Sequence, residues 1–134
     1  MTNPMGVIYV PVVVSNVLHP EQRLELSGRI DTGAFGLVLP KAWKARLGPF
    51  LNETTAEVEL ADGRPALAEL CGPVSIQLGT FRPITNEVVF VDTEQDAGFE
   101  PLIGYTVLEL ARVMIDMVSH RLLARPRIDL KAGA

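Results

Sequence analysis

The chain has 134 residues, of which 48% are hydrophobic and 21% are charged, and its formal net charge at pH 7 is −4. This length and composition predict a single globular domain spanning residues 1–134, and they argue against global disorder. Proteins that bind duplex nucleic acid normally carry a basic surface. Because the middle of this chain is acidic and its basic residues are scattered, we expect no nucleic-acid partner.

Cysteine and histidine are too sparse for a disulfide or a zinc site. Cys71 is the one cysteine and is more typical of a small core residue than of a nucleophile. His19 and His120 have no second ligand at metal-binding spacing, so we expect no metal and no cofactor. The apolar segment 7–14 is too short to cross a bilayer and lacks a basic leader. We therefore expect no membrane association and a cytoplasmic location.

Alternation of apolar and polar residues predicts that most of the chain is β-strand, with two short helices. In chain order, the predicted elements are strand 7–15, turn 16–22, strand 23–30, helix 40–47, hairpin 54–70, strands 74–78 and 88–91, a polar loop at 92–100, helix 105–111, strand 113–118 and a return strand beginning at 122. In the hairpin, Asp62-Gly63 predicts a two-residue type I′ turn, since both central positions of that turn need φ > 0. Asp116 is expected to face outward or to be paired.

One loop has a composition that suits holding a carboxylate in a fixed position. Asp31-Thr32-Gly33-Ala34 follows the strand 23–30, and a glycine there permits a tight turn or a close backbone approach. The alternative interpretation is an ordinary structural turn aspartate. Acid–base chemistry on an amide needs two carboxyl groups, and this run occurs once. A catalytic role for Asp31 would therefore require a second chain.

Three segments in this order resemble the retropepsin-like aspartic proteases, in particular a small bacterial and archaeal single-domain branch. They are Ile30-Asp31-Thr32-Gly33-Ala34, Leu60-Ala61-Asp62-Gly63-Arg64 and Leu102-Ile103-Gly104. The likeness covers a core of about residues 5–123 and leaves the tail 124–134 unexplained. It implies an all-β fold, namely a closed acid-protease barrel with a flap hairpin and one or two short helices.

The resemblance also implies a function. It implies a homodimeric aspartic endopeptidase in which one Asp31 from each subunit forms a dyad that activates a water, with a peptide or protein as substrate. The other implied site residues are Thr32, Gly33 and Ala34 as support of the catalytic loop, Ala61, Asp62, Gly63 and Arg64 as the flap, and Leu102, Ile103 and Gly104 as active-site packing. The resemblance departs at Phe35-Gly36, where relatives often carry polar or hydroxyl residues.

Two other functions remain open from the sequence. The first is a non-catalytic dimeric protease-like domain that binds extended peptides, and the second is a pure dimerisation module. The apolar N-terminal strand and the segment after Leu122 are candidates for the dimer interface.

Overall fold

The computed structural model of the chain describes residues 7–59, 63–92 and 99–125. These residues form nine strands, one α-helix and one 3₁₀ helix. The strands are β1 (Tyr9–Asn16), β2 (Arg23–Ile30), β3 (Leu37–Pro40), β4 (Asn52–Glu59), β5 (Pro65–Leu78), β6 (Ile84–Val91), β7 (Leu102–Ile103), β8 (Val113–Asp116) and β9 (Arg121–Ala124). The 3₁₀ helix is Lys41–Arg46 and α1 is Tyr105–Ala111.

Six of these strands close into a ring. They pair in the order β1, β2, β7, β3, β6, β5, and β5 pairs with β1 again. Two of the contacts are parallel, β2 with β7 and β3 with β6, and the other contacts around the ring are antiparallel. The fold is therefore all-β with a closed barrel, which confirms the predicted fold class.

Alternate residues of the ring strands fill its interior. In β1 the even-numbered side chains from Val10 to Val14 are buried, whereas Tyr9 and Pro11 face outward. Side chains from five other strands complete this core; the fully buried ones include Leu37, Leu39, Ile76, Leu78, Val88, Phe90 and Ile103. The period of two places every odd-numbered residue at the start of β1 on the outside of the barrel.

A hairpin extends beyond the ring. β4 pairs only with the first half of β5, from Pro65 to Gly72, and the second half of β5 pairs with β1. The sequence predicted two separate strands here, but β5 is continuous because a bulge between Cys71 and Val74 absorbs the bend.

The predicted turn of this hairpin lies partly outside the described residues. Residues 60–62 lie outside the described ranges, as does most of the predicted polar loop 92–100. The last described pair of the hairpin is Glu59 with Pro65. Because Asp62 is not described, the type I′ turn on Asp62-Gly63 stays a prediction, and Gly63 has the positive φ of 86° that such a turn requires.

Both predicted helices are present, and a small second sheet follows the last one. The predicted helix 40–47 is a 3₁₀ helix, followed by the fully buried Leu47. Helix α1 has the predicted bounds and ends at Arg112, which adopts a left-handed φ of 56°. β8 and β9 then form a separate two-stranded sheet, and β8 ends at Asp116 rather than at the predicted residue 118. None of the helices in the described part of the chain has the length and apolar character that crossing a membrane requires.

Candidate active site

Asp31 directly follows β2, and its backbone continues the pairing of that strand. The Arg29 N–H donates to Pro101 O at 2.9 Å, and the Asp31 N–H donates to Ile103 O at 3.0 Å. The alternation of β2 places Leu24 and Leu26 toward the core. The Asp31 side chain therefore leaves the backbone on the outer face of the barrel wall.

The loop after Asp31 is a tight turn in which the aspartate side chain takes part. The Gly33 N–H donates to Asp31 Oδ1 at 2.9 Å, and the Ala34 N–H donates to Asp31 O at 3.0 Å. Asp31 is half-buried, whereas Thr32 and Gly33 are exposed. Among the residues that the structure describes, nothing donates a hydrogen bond to Asp31 Oδ2, so this oxygen is available to a ligand or a second carboxyl group.

The Leu102-Ile103-Gly104 segment locks this turn in place. The Gly104 N–H donates to Gly36 O at 2.8 Å, and the Tyr105 N–H donates to Ala34 O at 3.0 Å. A Cβ atom at Gly104 would lie 2.4 Å from Ala34 O and 2.6 Å from Gly36 N. Because the φ of Gly104 is −92°, lack of space and not backbone strain requires glycine here.

The start of α1 supports the other half of the loop. Thr106 Oγ1 donates to Phe35 O at 2.7 Å, and the Thr106 N–H donates to the same oxygen at 3.1 Å. The Phe35 and Tyr105 rings meet edge to face at 5.9 Å, and both are partly exposed. Loop support therefore comes from backbone carbonyls and α1, even though Phe35-Gly36 departs from the expected polar pattern. Sequence reasoning missed Thr106, and its one signal was a hydroxyl residue at the start of a predicted helix.

Only part of the predicted flap can be described. Gly63 and Arg64 are exposed at the end of the β4–β5 hairpin, and Ala61 and Asp62 lie outside the described ranges. The paired residues nearest the tip, Val58 with Ala66 and Glu59 with Pro65, lie beyond the pairing of β5 with β6, and within the described ranges they pair with no further strand. The end of the hairpin therefore extends past the edge of β6, while Val58 and Ala66 pack against the cluster of Ala68, Val89 and Val91.

A second group of ionisable residues lies apart from Asp31. Lys44 forms ion pairs with Glu53 and Glu69, and Lys41 lies 3.3 Å from Glu69. The hydrogen bond from Lys44 lowers the pKa of Glu69, and the hydrogen bonds to Glu53 and Glu69 raise the pKa of Lys44. Burial raises the pKa of the Cys71 thiol to about 11, which keeps it protonated and unreactive at neutral pH.

This group also has the spacing of metal ligands. One donor atom from each of Glu53, Glu69 and Cys71 lies within 4.8 Å of the other two. However, the Lys44 ammonium already contacts both carboxylates. A buried cysteine beneath ion-paired side chains is the arrangement of a structural residue, as the sequence predicted for Cys71.

Comparisons with known proteins relate this fold to a solved structure. No protein-family model matches the sequence, and no curated protein matches it either. Among solved structures, the chain is similar to EIAV protease complexed with the inhibitor HBY-793, a retropepsin, with a TM-score of 0.54 over 81% of this chain and 91% of that one. The chain has a retropepsin-like fold. The identity is 18%, so this likeness establishes the fold alone.

Several apolar side chains are exposed in the segments that follow the Asp31 loop and support it. They follow the Asp31 loop along α1 and the β8–β9 hairpin, and they are Phe35, Tyr105, Leu110, Met114, Met117 and Val118, the last being 95% exposed. By contrast, β1 uses both of its edges between Val12 and Ser15, since it pairs there with β2 and β5. This part of the N-terminal strand therefore has no free edge for a partner.

Proposed function

We propose that this protein is a homodimeric aspartic endopeptidase whose dyad consists of Asp31 from each of two copies. The observation that carries the proposal is a half-buried carboxylate in a turn that backbone hydrogen bonds hold within a retropepsin-like fold, with one oxygen that accepts no hydrogen bond from the described residues. Other aspartates of the described chain lack this combination, as the paired Asp116 illustrates.

A second copy is needed because the chemistry requires two carboxyl groups. Two carboxyl groups a few Å apart cannot both ionise easily, so they share one proton. The ionised Asp31 takes a proton from a water held between the carboxyls. The protonated Asp31 of the other copy donates its proton to the carbonyl oxygen of the peptide. The water oxygen attacks the carbonyl carbon, and the resulting tetrahedral diol collapses to an acid and an amine.

The neighbouring residues have supporting roles in this proposal. Exposed Thr32 would form hydrogen bonds with the other copy, Gly33 would allow the substrate backbone to come close, and Ala34 would keep the floor of the site small. Leu102, Ile103 and Gly104 would hold the turn. The hairpin tip, including Gly63 and Arg64, would close over an extended peptide and bind its backbone as an added strand.

The exposed apolar side chains support pairing of two copies. The rings of Phe35 and Tyr105 are in contact and adjoin the Asp31 loop, and both are exposed; exposed apolar side chains that lie together mark protein contacts. A dimer that buries these two rings would bring two Asp31 loops toward one axis. A reducing, cytoplasmic compartment suits the single buried Cys71.

A cleavage assay with a matched variant tests the proposal. Purified protein would be incubated with a peptide library from about pH 3 to pH 8, and the products identified by mass spectrometry, beside the Asp31→Asn variant. We expect internal cleavage by the wild type, best at acidic to mildly acidic pH, and a loss of at least about 10³-fold in the variant, in line with general acid–base catalysis. Equal cleavage by the variant would overturn the proposal. Peptide binding without turnover would favour the non-catalytic alternative instead.

A further inference from the structure

The outer face of the barrel next to Asp31 carries a second functional group. The backbone N–H groups of Arg29 and Asp31 donate to Pro101 O, just before β7, and to Ile103 O, in β7. The backbone between Arg29 and Asp31 is therefore regular and extended. Residues two apart in such a strand project from the same face, about 7 Å apart. The Arg29 side chain therefore leaves the barrel wall beside the Asp31 carboxylate.

Two neighbouring segments hold this arginine. Tyr9 lies directly opposite Arg29 in the antiparallel pair of β1 and β2, and its hydroxyl donates to Glu100 Oε1 at 2.6 Å. Arg29 Nε lies 3.3 Å from Glu100 Oε2. The hydrogen bond to Glu100 raises the pKa of Tyr9, so the phenol stays protonated and continues to donate.

Glu100 contacts the guanidinium at Nε, and the described residues form no ion pair with its two terminal amino groups. Its Nε is buried, and no well-directed hydrogen bond from it to the described residues is present. Glu100 supplies the one ion pair of Arg29 within residues 7–59, 63–92 and 99–125, and the side chain is 37% exposed. The two terminal amino groups therefore remain able to bind a ligand, and a planar guanidinium matches a carboxylate bidentately.

We infer that Arg29 is a specificity-determining residue, which selects substrates with an acidic side chain beside the scissile bond. The inference rests on the proposed function and names its substrate class. Glu100 already accepts a hydrogen bond from Tyr9 and contacts Arg29. Its carboxylate oxygens are therefore engaged within the protein, and it attracts a basic substrate side chain only weakly. Because each copy of the dimer supplies one Arg29, the preference applies to the residues on both sides of the cleaved bond.

Matched peptides measure this selectivity. Three peptides would differ only in having Glu, Gln or Lys next to the scissile bond, and a second set would carry the same changes on the other side. We expect the wild type to prefer Glu to Gln by roughly tenfold or more in kcat/KM, as for a charge-assisted hydrogen bond. The preference should also depend on pH: present above the carboxyl pKa of about 4.3 and lost below it.

Variants separate Arg29 from the general charge of the surface. Arg29→Gln should bring the Glu-to-Gln ratio close to one, and Arg29→Lys should retain part of it because the charge stays but the fork is lost. Arg23 is the matched control: it lies on the same face of β2 and pairs with Glu25 at 2.7 Å. Arg23→Gln should leave the ratio unchanged.

Binding to the Asp31→Asn variant distinguishes failure of this inference from failure of the proposed function. If the wild type cleaves peptides but shows no preference for Glu, or if Arg29→Gln keeps the preference, acid selection is wrong and the endopeptidase proposal stands. If no peptide is cleaved but Asp31→Asn binds the Glu peptide more tightly than the Gln peptide, only the endopeptidase proposal fails. Equal dissociation constants for both peptides would overturn acid selection.

Discussion

Two aspartates in this chain lie where a strand passes into a turn, and their carboxylates form different hydrogen bonds. Asp31 Oδ1 accepts the N–H of Gly33 at 2.9 Å, and Asp116 Oδ1 accepts the N–H of Val118 at 3.0 Å. Asp116 also accepts the Ser119 N–H at 3.3 Å and the Ser119 hydroxyl at 2.6 Å. Both carboxylate oxygens of Asp116 therefore accept hydrogen bonds, whereas one oxygen of Asp31 accepts none from the described residues.

The difference lies in what holds each turn. The turn at Asp116 is held by its own carboxylate, and the hydroxyl of Ser119 lowers the pKa of that carboxyl. The turn at Asp31 is held mainly from outside, by backbone contacts to Gly104, Tyr105 and Thr106. Because other segments hold the Asp31 turn, its carboxylate keeps an oxygen with which to exchange protons. This contrast makes Asp31 the candidate for catalysis and Asp116 a structural residue.

The largest effect is expected from removing the external support. Gly104→Ala would place a methyl group 2.4 Å from Ala34 O, a backbone atom that cannot move without displacing the Asp31 turn. We expect a loss of about 3 kcal/mol in the free energy of unfolding together with loss of cleavage, measured by denaturant titration and peptide assay. In the control variant Gly48→Ala the nearest atom is 3.5 Å away, so the change should stay below about 1 kcal/mol. A Gly104→Ala protein as stable as the wild type would contradict this account of the loop.

A third carboxylate, Glu69, extends the comparison because two lysine side chains hold it. Lys44 and Lys41 lower the pKa of Glu69 in the folded protein. Ionised Glu69 therefore stabilises the fold at pH values above 4.5, its ordinary pKa. This stabilisation by ionised Glu69 is lost as the pH falls through the lowered pKa. We expect Glu69→Gln to cost about 1 kcal/mol at pH 7, and the difference from wild type to shrink as the pH falls below 4.5 and to vanish once the pH is below the lowered pKa. A difference that persists in acid would show that packing and not charge is responsible.

The smallest effect is expected at Asp116. Asp116→Asn and Ser119→Ala each remove the side-chain bond within an exposed turn, so the melting temperature should fall by roughly 2 °C or less. Peptide cleavage should stay at the wild-type level, because neither residue has a proposed role in the reaction. Loss of cleavage in Asp116→Asn, without unfolding, would erase the distinction between the two aspartates.

Local patterns in the sequence predicted local structure well. The bounds of β2 and of α1 follow directly from alternation and from the helical segment after Gly104. The order of the three segments carried the resemblance to retropepsin-like proteases, and the likeness to a solved retropepsin supports the fold it implied.

Long-range pairing could not be read from the chain. Nothing local indicates that β7, two residues long, pairs in parallel with β2 and antiparallel with β3. This strand nevertheless positions Asp31, through the bond from its N–H to Ile103 O. The contacts of Thr106 and the pairing of Arg29 with Glu100 likewise depend on residues distant in sequence.

A subunit-mixing experiment tests the central claim, that two copies share one active site. The wild type would be kept at a concentration at which it is dimeric, and increasing amounts of Asp31→Asn would be allowed to exchange with it. We predict that activity falls to roughly a tenth at tenfold excess, because random pairing leaves about that share of wild-type chains in homodimers. The same excess of Asp116→Asn should instead add activity. Cleavage that is unchanged at every ratio of Asp31→Asn to wild type would contradict a shared dyad.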